Sequence, residues 1–264
     1  MAITAYRKIS GVEITFSDST AHAFPKHSHD EFYIGANVSG REKIWLDGKS
    51  DEASVNEITI YNPGQVQSAI PTPYTWLYYS FYIQPDMLRS LSGFHDDEEF
   101  KRSIFCAPDT AQQIRETARF SLDSSNSNGE VIEHLSCLLN TVINRAGVRY
   151  KCELGHNDSL LAEKIACRLK SEMLSPPSLI DLAAENCVTP VQLVRIFSHT
   201  YGLPPLAWLR CEKLKLSKQL ILSGEAISAV AADLGFSDQA HYTRNFKNMF
   251  GITPGALYNI VNNV

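Results

Sequence analysis

One pattern, written twice in the last third of the chain, constrains the fold more than any other feature. The first copy runs Leu182-Ala183-Ala184-Glu185-Asn186-Cys187-Val188-Thr189, continues to Phe197 and closes on Tyr201-Gly202 and Pro205. The second runs Val230-Ala231-Ala232-Asp233-Leu234-Gly235-Phe236-Ser237, continues to Phe246 and closes on Phe250-Gly251 and Pro254. The offset between copies is 48 residues at the start and 49 from the aromatic onward. Each copy reads as a short apolar helix, a tight turn, a hydroxyl residue able to cap, a second helix ending on an aromatic, and Gly followed three places later by Pro. That order describes a helix-turn-helix.

Local chemistry supports the reading. Thr189 stands before Pro190, giving an N-cap oxygen followed by a residue whose missing N–H costs nothing in the first turn. Ser237 is expected to do the same in the second copy. Gly235 suits a sharp reversal because it has no Cβ to exclude a positive φ, whereas the first copy carries Cys187 there and should build its turn less ideally. Leu193 with Phe197, and Tyr242 with Phe246, lie four apart and mark the buried faces of the second helices. The opposite faces are polar: Gln192, Arg195 and His199 on the first, Gln239, His241, Arg244 and Lys247 on the second.

Tandem helical units also build solenoids, but this period fits none of the common helical repeats and only two copies occur. Between them, residues 205–222 place Leu209, Leu216, Leu220 and Ile221 among Arg210, Lys213, Lys215 and Lys218, one long helix ending near Ser223-Gly224. Such a connector, roughly 24 Å long, would hold two recognition helices at a separation suited to adjacent major grooves.

These residues carry a family resemblance. From about Asp158 to Asn263 the chain resembles the DNA-binding domain of the arabinose-operon activator (AraC/XylS) family, most specifically from Ile227 to Pro254, and in the looser first copy through Leu182, Ala183, Leu193, Arg195, Phe197, Gly202 and Pro205. Lys213 stands where the family commonly has Arg, and Ser217 where it commonly has Ala. The resemblance implies about seven helices, with those near 190–200 and 238–249 presented to double-stranded DNA. It also implies contact with RNA polymerase. Val191 would offer methyls to thymine, Gln192, Arg195 and His199 would approach bases or phosphates, Gln239 and Arg244 would read bases, and Asp238 would cap or select. In this family the arginines at the places of Arg195 and Arg244 often serve partly to brace the domain or grip the backbone.

The formal charge of −5 sits in the first part: residues 1–157 hold 14 basic and 20 acidic side chains, residues 158–264 hold 10 and 9. A near-neutral DNA-binding domain makes few phosphate contacts, so a second subunit would help. With 264 residues and 44% apolar composition the chain supports two cores. The opening residues form no apolar run of signal length, and no stretch approaches a membrane span, so a cytoplasmic protein is expected. Six cysteines without a CxxC pair read as reduced thiols, and no cofactor is expected.

Before Ile83 the pattern alternates. Phe32, Ile34 and Ala36 interleave with small or polar neighbours, Ile44 and Leu46 flank Trp45, Ile58 and Ile60 flank Thr59, and residues 76–83 form a dense strand-favouring run. Turns are expected at 38–40, 47–48 and 62–64. Many short strands suggest a small barrel or sandwich. Helical periodicity follows over 109–122 and 130–146, separated by a solvated loop at 124–129. This half resembles, over roughly 24–83, the cupin-type sensor domain found in front of many members of the same family, anchored by Pro25 to Phe32, Gly40 and Tyr61 to Gln67. The organisation expected is a mainly β cupin-like sensor and dimerisation domain at 1–150, a linker at 151–157 and an all-α DNA-binding domain at 158–264.

His27 and His29 lie two apart and would point to one side of a strand, as metal-holding cupins use His-x-His. Glu31 follows too closely, however, and Gln67 occupies the last ligand position, so the enzyme alternative, a metal-dependent cupin, rests on fold resemblance alone. No nucleophile–base arrangement or nucleotide-binding fingerprint occurs. A barrel of this size holds one small effector, and the expected lining is His27, His29, Tyr33, Trp45, Gln67 and Tyr79. A one-residue shift of register would move Trp45 or Tyr79 outside. Ile132, Leu135, Leu139, Val142 and Ile143 form a stripe on 130–146, assigned to a homodimer contact against the alternative that it packs on its own barrel.

Overall fold

The computed structural model describes residues 2–19, 22–150, 156–236 and 238–262. The chain falls into two compact units, one of residues 1–24 and 28–151, the other of residues 152–264 together with 25–27.

The first unit is mainly β. Strands β1 (Ala2–Ile9), β2 (Val12–Asp18), β3 (Phe24–His27, of which 25–27 group with the second unit), β4 (Phe32–Leu46), β5 (Lys49–Ala53), β6 (Glu57–Tyr61) and β7 (Gln67–Ile83) precede helix α1 (Pro85–Ser92). Short β8 (Glu98–Phe100) and β9 (Ile104–Cys106), helices α2 (Pro108–Leu122) and α3 (Asn128–Ala146), and β10 (Val148–Tyr150) complete it. The main sheet runs β1-β2-β7-β4-β6-β9, with β3 on β7 and β5 on β4, while β10 pairs with β8. Asp47 and Gly48, at φ 46° and 86°, make the hairpin turn between β4 and β5 as expected.

The turn expected at 38–40 is instead a break inside β4. Its pairing with β7 shifts register between Asn37 and Ser39 and again between Ser39 and Arg41. Gly40 sits there at φ 81°, so close to the partner strand that a Cβ would fall 1.8 Å from the Thr75 carbonyl oxygen. Only glycine fits, and the extra residues bend the strand and re-aim its side chains.

One face of the sheet is covered by helices. Ile14, Ile34, Ile58, Ile60 and Phe81 pack there with Ile114 and Ala118 of α2 and with Val131, Leu135, Leu139 and Val142 of α3. Leu139 and Val142 are fully buried within the single chain. The stripe assigned to a dimer contact is therefore intramolecular core, because the helix is needed to close this face. The outward side of α3 carries the exposed Glu133, His134, Cys137, Asn140 and Asn144. The loop between α2 and α3 ends at Ser127, which caps α3 in a capping box with Glu130. Arg7 anchors that loop through the carbonyls of Ser121, Asp123 and Asn126.

The second unit has seven helices among the described residues: α4 (His156–Ser171), α5 (Leu179–Glu185), α6 (Pro190–Tyr201), α7 (Pro205–Leu222), α8 (Ile227–Asp233), α9 (Gln239–Phe250) and α10 (Pro254–Asn262). Helix α4 begins inside the segment expected to be linker, whose residues 151–155 lie outside the described ones. The two repeats are α5–α6 and α8–α9. Connector α7 has 18 residues, about 27 Å at 1.5 Å per residue. It buries Trp208, Leu209, Leu214 and Ile221 against its neighbours, while Leu216 stays exposed. The carboxylate of Glu212, itself buried, takes Lys170 of α4 at 2.6 Å and Lys215 at 2.8 Å.

Candidate nucleic-acid interface and ligand pocket

The turn before each second helix places a residue in the left-handed region. Gly235 does so at φ 65° and Cys187 at φ 54°, so the first turn adopts the same shape without glycine. The caps differ more. Thr189 accepts from the Gln192 backbone N–H, as expected. In the second repeat the cap is Asp238, which accepts from the His241 N–H at 2.6 Å, and not Ser237, which lies outside the described residues. The offset explains this: Cys187 and Gly235 are 48 apart but Thr189 and Asp238 are 49 apart, so the second turn carries one more residue. Both helices end on left-handed glycines, Gly202 at φ 70° and Gly251 at φ 71°.

The two second helices nonetheless present corresponding faces. Leu193 and Phe197 are buried on α6, and Tyr242, Phe246 and Met249 on α9. Gln192, Arg195 and His199 are exposed on α6, beside Val191 at 78% exposure. An apolar residue that exposed at the first turn of a helix has no packing role in the unit. On α9, Asp238, Gln239, His241, Arg244 and Lys247 are exposed. Gln239, Ala240, Thr243, Arg244 and Lys247 line one shallow concavity. Gln192 has a second duty, since its side-chain oxygen accepts from the Thr189 N–H and hydroxyl, both at 2.9 Å, a cap that uses none of its amide N–H groups.

In the β unit, the face of β4 and β7 opposite the helices is aromatic and polar. Tyr33 stacks on Tyr61 at 4.9 Å between ring centroids and meets Tyr82 edge-on at 5.3 Å. His29 lies over Tyr33 at 6.4 Å and against the edge of Tyr82 at 5.1 Å. Along the same face, Trp76 stacks on Tyr78 at 4.4 Å and donates its indole N–H to Asn37 Oδ1 at 2.7 Å. Glu42 is buried on this face with Ile44, hydrogen-bonded by Asn37, and burial pushes its carboxyl up to about 8. Burial, followed by the nearby Glu42 charge, also holds the Tyr33 and Tyr61 hydroxyls well above the ordinary phenol range.

Of the six residues expected to line a pocket, the structure brings His29, Tyr33 and Gln67 to this face. Gln67 pairs across the ladder with Leu46 and is buried. His27 closes β3 while His29 lies beyond the strand, so the two do not share a strand face as expected. The His27 ring nitrogen Nδ1 sits 2.7 Å from the Pro25 carbonyl. Trp45 and Tyr79 point the other way. Trp45 alternates with the fully buried Ile44, and Tyr79 packs with Phe16 at 4.7 Å in the helix-covered core. The β4 register shifts reset which residues face inward, and on β7 the even-numbered members of the dense run take the aromatic face. Glu42, Asn37, Tyr61, Trp76, Tyr78 and Tyr82 were not foreseen. The alternation Trp76-Tyr78-Ser80-Tyr82 was the available signal. Among the described residues no group of three or more His, Cys, Asp or Glu is gathered to hold a metal ion, and no helix is long and apolar enough to cross a membrane.

The AraC-like ligand binding domain family matches residues 10–151, and a helix-turn-helix domain family matches residues 182–259. The chain is 27% identical over 124 residues to the virulence regulon transcriptional activator VirF of Yersinia enterocolitica, a match covering 47% of this chain and 45% of that protein. It thus spans less than half the length of that relative. Over 232 residues it is 22% identical to the arabinose operon regulatory protein of Salmonella typhimurium, covering 84% of this chain and 82% of that one. The solved structure of ToxT from Vibrio cholerae with an unsaturated fatty acid bound superposes with a TM-score of 0.61 at 15% identity, covering 98% of this chain and 99% of that one, and so shares the two-part fold.

Proposed function

The chain belongs to the family built on an AraC-like ligand binding domain, and we propose that it is a ligand-responsive, sequence-specific transcription regulator, an activator acting on promoter DNA. The observation that carries this is the pair of second helices, α6 and α9, each with a polar face exposed and each set by a left-handed turn residue, a side-chain cap and a left-handed glycine end in one unit. Nothing in the packing of that unit requires Val191, Arg195, His199, Gln239, Arg244 or Lys247 to be where they are, and Gln192 serves there only through its capping oxygen, whereas duplex DNA would use them all.

In this reading the domains are 1–150 and 158–264, joined by 151–157. Val191, Gln192 and Arg195 read one major-groove element, Gln239 and Arg244 the next, with His199, His241 and Lys247 on phosphates and Asp238 fixing the second helix start. The first unit receives a small effector on its aromatic face. The protein acts in the cytoplasm, not as an enzyme, and recruits RNA polymerase from the bound site. Because the DNA unit is near neutral, two copies act together, which raises effective concentration at a two-element site. Selection of genomic fragments by the purified full chain, followed by mobility shifts, tests the reading: enrichment of a sequence with two elements about one duplex turn apart is expected, and recovery of no enriched sequence would overturn it.

A further inference from the structure

Among the described residues, the aromatic face holds a buried carboxyl group with no cation paired to it and a second buried acceptor without a partner. Glu42 is 3% exposed, its partner is the neutral Asn37, and among the described residues it makes no ion pair. Its strand neighbours Arg41 and Lys43 are exposed and project from the other side of β4. Four tyrosines from three strands, Tyr33, Tyr61, Tyr78 and Tyr82, lie within reach of its charge. Independently, the side-chain oxygen of Gln67, a residue only 5% exposed, is buried without a hydrogen-bond partner. Through its pairing with Leu46 it faces the same side of the sheet as Ile44 and Glu42. A buried acceptor left unpaired is costly and calls for a donor.

A cleft of about 400 Å³, lined by Leu46, Asp47, Lys49, Asp51, Ser103 and Ile104, opens at this end. Two of its walls, Leu46 and Ile104, pack directly on the Tyr33–Tyr61 cluster. The cleft therefore adjoins the tyrosine cluster through Leu46 and Ile104, with Asp47 and Asp51 and one lysine, Lys49, at its rim. Tyrosine faces attract cations, more strongly when water is excluded. An anionic effector would bring a second negative charge beside Glu42 in a desolvated place, which is unfavourable.

We propose that this face binds a small organic cation with an apolar body, an alkyl amine or quaternary ammonium compound, with Glu42 as counter-ion, the tyrosines as its walls and the Gln67 oxygen as an acceptor. This rests on the reading of the first unit as a ligand-binding domain and specifies the class of its ligand. Because Glu42 is neutral before the cation arrives, binding releases one proton, and affinity rises about tenfold per pH unit until pH approaches 8. The groups facing Glu42 are tyrosines and Asn37, with His29 against Tyr33 and Tyr82 on the same face, and loss of the slope in Glu42→Gln assigns it to Glu42.

The test is titration calorimetry of the full chain with n-hexylamine, tetramethylammonium, hexanoate and hexanol at pH 6, 7 and 8. Expected are binding of one or both cations with affinity climbing with pH, no binding of hexanoate, and at least a tenfold loss in Glu42→Gln, with Glu42→Asp intermediate. Thermal unfolding without probe checks that both variants fold. Cation binding that is unchanged in a folded Glu42→Gln overturns the proposal, as does binding of hexanoate or hexanol alone, which would leave the ligand-binding reading standing. If no probe binds, and a wider set of neutral and acidic metabolites also gives no heat, both the proposal and that reading fall.

Discussion

The hydroxyl of Ser217 lies 2.5 Å from the phenol oxygen of Tyr242, both buried, and so ties the connector α7 to the second reading helix α9. Removing one partner leaves the other unsatisfied in the core, whereas removing both leaves little unpaired. Ser217→Ala and Tyr242→Phe should each cost about 1 kcal/mol in denaturant unfolding, and the double variant should cost clearly less than the sum of the two. Strict additivity would show that the contact contributes nothing.

The turn at Cys187 adopts φ 54° with a side chain that resists it. A left-handed residue other than glycine is disfavoured by roughly 1 kcal/mol. Cys187→Gly should therefore raise the melting temperature of the helical unit, and Gly235→Ala, at φ 65° in the second turn, should lower it. In Gly235→Ala the added methyl meets only ordinary contacts, the Leu174 carbonyl oxygen at 3.5 Å and Lys213 Nζ at 3.6 Å, so backbone strain alone sets the loss. If both variants destabilise, the two turns are not equivalent.

Gln192 both caps α6 and faces outward, which separates two effects that one substitution would mix. Gln192→Ala should lose about 0.5–1 kcal/mol of stability with the capping box and also change the base preferred at one element of the operator. Gln192→Glu keeps the capping acceptor but presents a carboxylate where Gln offered N–H donors. It should therefore hold its stability yet shift preference away from acceptor-rich base edges. Equal affinity loss on all sequences for both variants would reduce Gln192 to a positioning role.

Leu139, fully buried between α3 and the sheet, should not tolerate a charge. Leu139→Arg is expected to unfold the first unit, since an unpaired charge in a packed core costs several kcal/mol. Asn140, its exposed neighbour, offers the cleaner probe of assembly: Asn140→Arg should leave circular dichroism and melting unchanged. Sedimentation of that variant then reports whether the outward side of α3 joins two copies. A wild-type sedimentation profile would place any dimer contact elsewhere.

The helical unit was legible because its signals are local. Caps, turn glycines and the Gly-to-Pro closure each act within a few residues, and the shift of the second cap from Ser237 to Asp238 comes from a single extra residue in the second turn. The β unit was legible as a class but not in its facing. Two register shifts near Gly40 reverse the inward set along β4, which sends Trp45 outward and brings Glu42 in, and no local signal marks a close approach to Thr75 from 35 residues away. The apolar stripe on α3 is legible as a stripe. What it packs against depends on how much of the sheet needs covering, a tertiary quantity that periodicity does not contain.

Glu42 also makes the fold itself pH-sensitive. Its carboxyl titrates near 4.5 when exposed and about 8 in the folded chain, where burial penalises the charge and the Asn37 hydrogen bond only partly offsets this. A carboxyl raised on folding favours the state that holds the proton, so its stabilising contribution is complete below pH 4.5 and declines as pH rises to 8. The loss across that window is on the order of a few kcal/mol for a fully buried group. Glu42→Gln keeps the shape and the neutral charge at every pH. Chemical unfolding of the first unit between pH 5 and 8.5 should therefore show a declining wild-type stability and a flatter Glu42→Gln profile, the two converging at the acid end. Parallel profiles would mean that Glu42 keeps its charge in the folded chain through a partner that water or a bound ion supplies.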